Sequence, residues 1–119
     1  MPSKSDHIGK ARLNEEFAEF VCKGDNKFIC WAIIAYFYSA LHLVDAYIDQ
    51  QISRHPSDHF KRGQIISKET VLRTIYYDYR YLQQKSEEAR YESIRFKLKD
   101  LNEVKARLEN IKKHLSKYL

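Results

Sequence analysis

The sequence contains little glycine, proline or cysteine. Its 119 residues include three Gly, two Pro and two Cys. All-β folds place Gly and Pro at their many turns, whereas helices avoid both in their interiors, so this scarcity favours a helical chain. Two thiols, Cys22 and Cys30, do not make the disulfide framework of a small secreted domain, and we expect both to stay reduced.

The sequence also lacks a long uninterrupted apolar run. Its longest apolar region, residues 28–48, is broken by Ser39, His42 and Asp45. A membrane span needs about 20 mostly apolar residues with few ionisable groups. The first ten residues are polar and do not resemble a signal peptide. We therefore expect no membrane segment and a cytoplasmic location.

The composition is that of a folded domain. Hydrophobic residues make up 44% of the chain and aromatic residues 13%, which is enough for one hydrophobic core. We treat residues 1–119 as a single domain. The net charge of +5 favours contact with nucleic acid or another anion but does not establish it.

Helical periodicity predicts an up-and-down bundle of four longer helices and one short helix. Tyr91–Lys97 has no clear period and is interpreted as a loop. In the first helix, the apolar positions recur at mostly helical spacing and are Ile8, Leu13, Phe17, Phe20 and Val21. The predicted helices are His7–Lys23, Lys27–Ser53, the short Ser57–Ile66, one from Ser67 to Ala89 or Arg90, and a last helix capped at Asp100.

The second predicted helix is apolar on both sides, which is typical of a core helix. One of its stripes turns polar, running from Tyr38 into His42, Asp45 and Asp49. Two interpretations of this stripe remain open. The first is a satisfied network of buried hydrogen bonds, which we favour. In the second, Asp45 raises the pKa of His42 or fixes its tautomer, and Tyr38, His42 and Asp45 line a cleft.

Arg54 and His59 flank the proline-containing loop that follows this helix. A histidine can give or take a proton near neutral pH, and an arginine can hold a phosphate through its fork of donors. Metal-free RNA cleavage needs both abilities. A solvated polar loop is the plainer interpretation. His55 and His59 have a zinc-like spacing, but Pro56 prevents one helix through both, so we predict no metal and no other cofactor.

Several segments resemble the HEPN superfamily of small helical domains. The similarity covers about Trp31 to Arg90. It is carried by Trp31–His42 (WAIIAYFYSALH), Arg54–Arg62 (RHPSDHFKR) and the triplet Ala89-Arg90-Tyr91. Catalytic members of that superfamily carry an Arg, a polar residue, a few further residues and then a His, in the loop and helix after the second helix. Arg54, His55 and His59 match that motif here.

The resemblance implies a HEPN-like bundle that forms a homodimer, in which two such motifs meet in one RNA-cleaving cleft. It implies that Arg54 and His59 are catalytic. His55 would contact the RNA substrate, and Arg62, which follows His59 by three positions, could be a further phosphate contact.

Some HEPN domains are not nucleases, and this provides the alternative prediction. They act as nucleotide-binding or protein-interaction modules, in some cases paired with a nucleotidyltransferase in a toxin–antitoxin or defence system. There the partner modifies a Tyr two positions after the motif His. That position is Lys61 here, which argues against this mode of control.

Overall fold

All regular structure in the described part of the chain is helical, which confirms the prediction of an all-α fold. The computed structural model describes residues 2–24, 26–52, 55–91 and 95–119. Its helices are α1 (Lys4–Gly24), α2 (Ile29–Gln51), α3 (His59–Lys68), α4 (Thr70–Arg73), α5 (Tyr76–Tyr91) and α6 (Leu98–Ser116), with one 3-10 turn over Asn26–Phe28.

Helix α2 is the centre of the bundle, as its two apolar sides predict. It packs against α1, α5 and α6. Helices α1 and α2 are antiparallel neighbours, because His7 pairs with His42 and the carbonyl of Ala11 accepts a hydrogen bond from Ser39. The interior of α2 contributes much of the core through side chains with no exposed surface: Ala32, Ile33, Phe37, Ala40, Val44 and Ile48.

Helix α1 faces the core mainly with small residues, which corrects three of its five predicted apolar positions, whereas partly buried Val21 does pack against the core. Ala11 and Ala18 are buried, whereas Leu13, Phe17 and Phe20 are 58%, 48% and 75% exposed. Small side chains let two helix backbones approach closely. Leu13, Phe17 and Phe20 therefore lie outside the contact that α1 makes with α2.

The long helix predicted from Ser67 is divided into α4 and α5, and α3 extends two residues beyond its predicted end. Glu69 adopts an extended backbone (φ −74°, ψ 134°) between α3 and α4. Its carboxylate caps α4 by accepting the Leu72 N–H at 2.8 Å and also accepts the Tyr47 hydroxyl at 3.0 Å. These two contacts stabilise a break that no Gly or Pro marks in the sequence.

Helix α6 is the amphipathic helix that the 3-and-4 spacing predicts. Its apolar row is buried and consists of Leu101, Val104, Leu108, Ile111 and Leu115. The helix begins at Leu98, earlier than predicted. Asp100 is not the N-cap but lies in the first turn, where its carboxylate accepts the Lys97 N–H at 2.8 Å.

Helix α2 is long and apolar enough to cross a membrane by length and composition alone. However, 67% of its apolar window is buried against the other helices. This burial is typical of the core helix of a water-soluble bundle, which matches the expectation drawn from its interrupting polar residues.

Candidate active site around His59

Four buried polar atoms have no partner in the described part of the chain, and they lie on one face of α5 and at the start of α3. These atoms are His59 Nδ1, Tyr79 Oη, Ser86 Oγ and Arg90 Nε. Tyr79, Ser86 and Arg90 recur at helical spacing on α5, so they share one face of that helix. Buried polar groups are normally paired, so such a cluster marks a place that calls for a functional explanation.

His59 is the first residue of α3 and is held there by a helix cap. Asp58 accepts the Lys61 N–H at 2.8 Å and so fixes the start of the helix. The half-buried imidazole lies against the Phe37 ring of α2, with centroids 5.8 Å apart. Burial lowers the pKa of His59, and the positive charges of Arg62 and Arg90 lower it further. The imidazole is therefore mostly neutral at pH 7.

Arg90 is a member of this site that the motif did not identify. Its Nη1 donates to the Tyr38 hydroxyl at 2.9 Å, and its guanidinium lies 5.8 Å from the Tyr38 ring centroid and 5.0 Å from that of Tyr91. Tyr38, a predicted cleft residue, thus anchors a cation whose charge acts on His59. The signal in the sequence was the resemblance of residues 89–91, which carried no assigned role.

Arg62 and Asp45 form a buried ion pair, which corrects the predicted phosphate contact of Arg62 and fits the favoured interpretation of Asp45 as a buried, paired residue. Arg62 Nε and Nη2 donate to the two oxygens of Asp45 at 2.7 and 3.0 Å, and Nη2 also approaches the Pro56 carbonyl at 3.4 Å. Both residues are 7% exposed. The Arg62 guanidinium is thus turned into the core and occupied. It is placed to hold α3 against α2 rather than to contact a phosphate at the surface.

His42 has a different partner from the one predicted. Its Nδ1 lies 3.0 Å from Nδ1 of His7, a buried residue of α1. Burial lowers the pKa of His42, His7 lowers it further, and the opposing effect of Asp45 is smaller. Asp45 therefore does not raise the pKa of His42 above its ordinary value. Each polar residue of the stripe has a partner, but Tyr38, His42 and Asp49 are half-buried, so the favoured interpretation of a buried, satisfied network describes Asp45 alone.

The motif loop is described in part. Arg54 lies outside the described residues. His55 is exposed, and its Nε2 lies 3.4 Å from Asp49 Oδ1 at the end of α2. His59 and His55 thus contact different residues of α2, Phe37 and Asp49 respectively.

Two other features of the molecule were compared with this site. In the described residues, no group of three or more His, Cys, Asp or Glu is placed to hold a metal ion. A cleft of about 390 Å³ lies between α1, α2 and α6, and two of its three charged residues, Glu15 and Lys112, pair with each other at 2.9 Å. The polar cluster around His59 is the better candidate because its buried polar atoms have no partner among the residues that the structure describes.

Comparisons with known proteins do not assign a family. No family model matches the chain, and no curated protein or solved structure shows significant similarity to it. The function must therefore be argued from the chemistry of the site.

Proposed function

We propose that this protein is a metal-independent endoribonuclease of the HEPN type, with His59 as its proton-transfer group. The observation that carries the proposal is the half-buried imidazole of His59, which lines a surface groove and whose pKa is lowered by burial and by the charges of Arg62 and Arg90. A neutral imidazole accepts a proton, and a nearby guanidinium stabilises negative charge on a phosphoryl group.

The reaction requires two proton transfers. The ribose 2′ oxygen attacks the adjacent phosphorus and the bond from phosphorus to the 5′ oxygen breaks, which leaves a 2′,3′-cyclic phosphate and a 5′-hydroxyl. A base takes the 2′-hydroxyl proton, and an acid protonates the departing 5′ oxygen. A neutral His59 suits the first step. The imidazolium formed in that step can then return the proton to the departing 5′ oxygen, in the cleft where the proposed homodimer would bring the two motifs together.

Arg54 and His55 keep their proposed roles at the composite site. Arg54 would stabilise the charge of the phosphoryl group, and exposed His55 would contact the RNA. The buried pair of Arg62 and Asp45 would act indirectly, by holding the α3 residue His59 at a fixed distance from α2.

The test is cleavage of a 5′-labelled RNA pool in EDTA by wild type, His59→Gln and His114→Gln, purified identically. His114 is a matched control on α6, where its Nε2 contacts the Val71 carbonyl. We expect wild type and His114→Gln to produce fragments with 2′,3′-cyclic phosphate ends and folded His59→Gln to produce none.

The other outcomes contradict the nuclease proposal. Equal cleavage by all three proteins would indicate a contaminating nuclease. Binding of RNA without cleavage would instead favour the non-catalytic nucleotide-binding module.

A further inference from the structure

A groove of about 460 Å³ runs between α3 and α5 and begins at His59. Its volume lies within the range of pockets that bind small ligands. Phe60, Gly63 and Gln64 line it from α3, and Tyr76 and Arg80 line it from α5. The groove therefore joins an aromatic surface and a cation directly to the candidate active site.

We propose that this groove binds a nucleobase of single-stranded RNA, next to the phosphate that His59 would act on. The inference rests on the proposed function for the substrate class. Its own support is the composition of the groove, because flat aromatic rings with nearby arginines are the usual platform on which proteins stack unpaired bases.

Phe60 provides the stacking surface. It follows His59 directly in the chain, yet 74% of its surface is exposed. Exposure of a large apolar side chain to water is unfavourable, so the position of Phe60 calls for an explanation. Its exposed ring borders the groove, where a stacked base would cover it. His59 and Phe60 line the same groove, so a base on this ring would share that groove with the imidazole.

Both walls of the groove carry hydrogen-bonding groups. Arg80 Nη1 donates to Gln83 Oε1 at 2.8 Å, which orients both side chains along α5. Exposed Gln64 presents an amide from α3. Amide and guanidinium groups can bond to the edge of a base that stacks on Phe60.

Gly63 keeps the groove open. A Cβ at this position would meet no atom within 4 Å, so a larger side chain fits without a clash and would occupy groove space instead. Gly9 of α1 has equally open surroundings. The two glycines therefore offer a blocking variant, Gly63→Leu, and a matched control, Gly9→Leu. Phe20→Ala is a similar control for Phe60→Ala, because Phe20 is 75% exposed on α1.

The experiment measures binding by fluorescence anisotropy in EDTA. The probe is a fluorescein-labelled 2′-O-methyl RNA pentamer, which lacks the attacking hydroxyl and cannot be cleaved. We expect Phe60→Ala and Gly63→Leu to weaken binding roughly 5- to 150-fold, the effect of one lost stacking contact. Phe20→Ala and Gly9→Leu should bind like wild type, and an abasic pentamer should bind wild type as weakly as the groove variants bind the intact one.

Each remaining outcome decides the proposal. Wild-type affinity in both groove variants, or equal affinity of wild type for intact and abasic RNA, would overturn the base pocket even if RNA is cleaved. Absence of binding by wild type would overturn it too. Base-dependent binding that the groove variants lose, in a protein that does not cleave RNA, would keep the pocket and reject the nuclease function.

Discussion

His7 and His42 face each other across α1 and α2 with their Nδ1 atoms 3.0 Å apart. A hydrogen bond at this distance needs one nitrogen with a proton and one without. Protonation of both rings would place two donors and two positive charges together at a largely buried position. The contact that joins the start of α1 to α2 therefore depends on at least one neutral imidazole.

The first prediction concerns stability at mildly acidic pH. Burial and His7 lower the pKa of His42 below 6.5 in the folded state, so the unfolded chain binds more protons in the window from 6.5 down to that lowered pKa. The free energy of unfolding should therefore fall as pH drops through this window. Lys10 and Arg62 act in the same direction as His7, and Asp45 opposes them.

Urea unfolding at several pH values between 7.5 and 5 measures this dependence. His42→Asn removes one titrating ring and should flatten the pH dependence, although His59, whose pKa is also lowered, keeps part of it. His114→Asn is the control. An equal slope in wild type and His42→Asn would contradict the prediction.

The second prediction concerns the Asp45–Arg62 ion pair. The side chains are 10% and 9% exposed, so removing one partner leaves the other charge buried and unpaired. Asp45→Val should lower the free energy of unfolding by about 3–5 kcal/mol. Combining it with Arg62→Met removes the stranded charge and should restore much of that loss.

Thermal or urea unfolding of both single variants and the double variant tests this coupling. A double variant whose destabilisation equals the sum of the two single effects would mean that the charges do not interact. That result would also contradict the proposal that this ion pair holds α3 against α2.

The third prediction tests which face of α1 packs on α2. Phe20→Gln should change the free energy of unfolding by less than about 0.5 kcal/mol, because Phe20 is 75% exposed. Ala18 has no exposed surface, so Ala18→Leu should cost about 1–3 kcal/mol by overpacking. Urea unfolding of both variants shows which face of α1 packs against α2. The opposite ranking would restore the apolar face expected from the sequence.

The helices that could be predicted well from the sequence are those with one dominant hydrophobic periodicity. The α6 row from Leu101 to Leu115 repeats at 3 and 4 and is buried throughout. In α1, by contrast, the large apolar residues gave the stronger periodic signal, while the close approach to α2 selected Ala11 and Ala18. Sequence periodicity reports hydrophobicity, whereas burial here depends on how near two backbones come.

The candidate site was predictable only where its parts are close in the sequence. His59 follows from its local motif, but Arg90 meets Tyr38 across 52 positions and His7 meets His42 across 35. Neither pairing has a local pattern. The division between α3 and α4 is similar, because the Glu69 contact with Tyr47 that stabilises it spans 22 positions.

The last prediction concerns the charge that Arg90 places beside His59. Because a nearby cation disfavours the imidazolium, removing this guanidinium should raise the pKa of His59 towards its ordinary value of 6.5, although burial, the larger cause, remains. Arg90→Gln keeps a donor for the Tyr38 hydroxyl and removes the charge. The His59 pKa is measured by NMR titration of the imidazole C–H signals, with the assignment made from the loss of one signal in His59→Gln.

Arg107→Gln is the control for this titration, because Arg107 pairs with Glu103 and Asp78 at 2.9 and 3.2 Å, between α6 and α5. Its substitution should leave the His59 pKa unchanged. If RNA is cleaved, the acidic limb of the pH–rate profile should move upward with the NMR value in Arg90→Gln, since the neutral base then forms at higher pH. A His59 pKa that stays the same in Arg90→Gln would separate Arg90 from the proton-transfer group and remove it from the proposed active site.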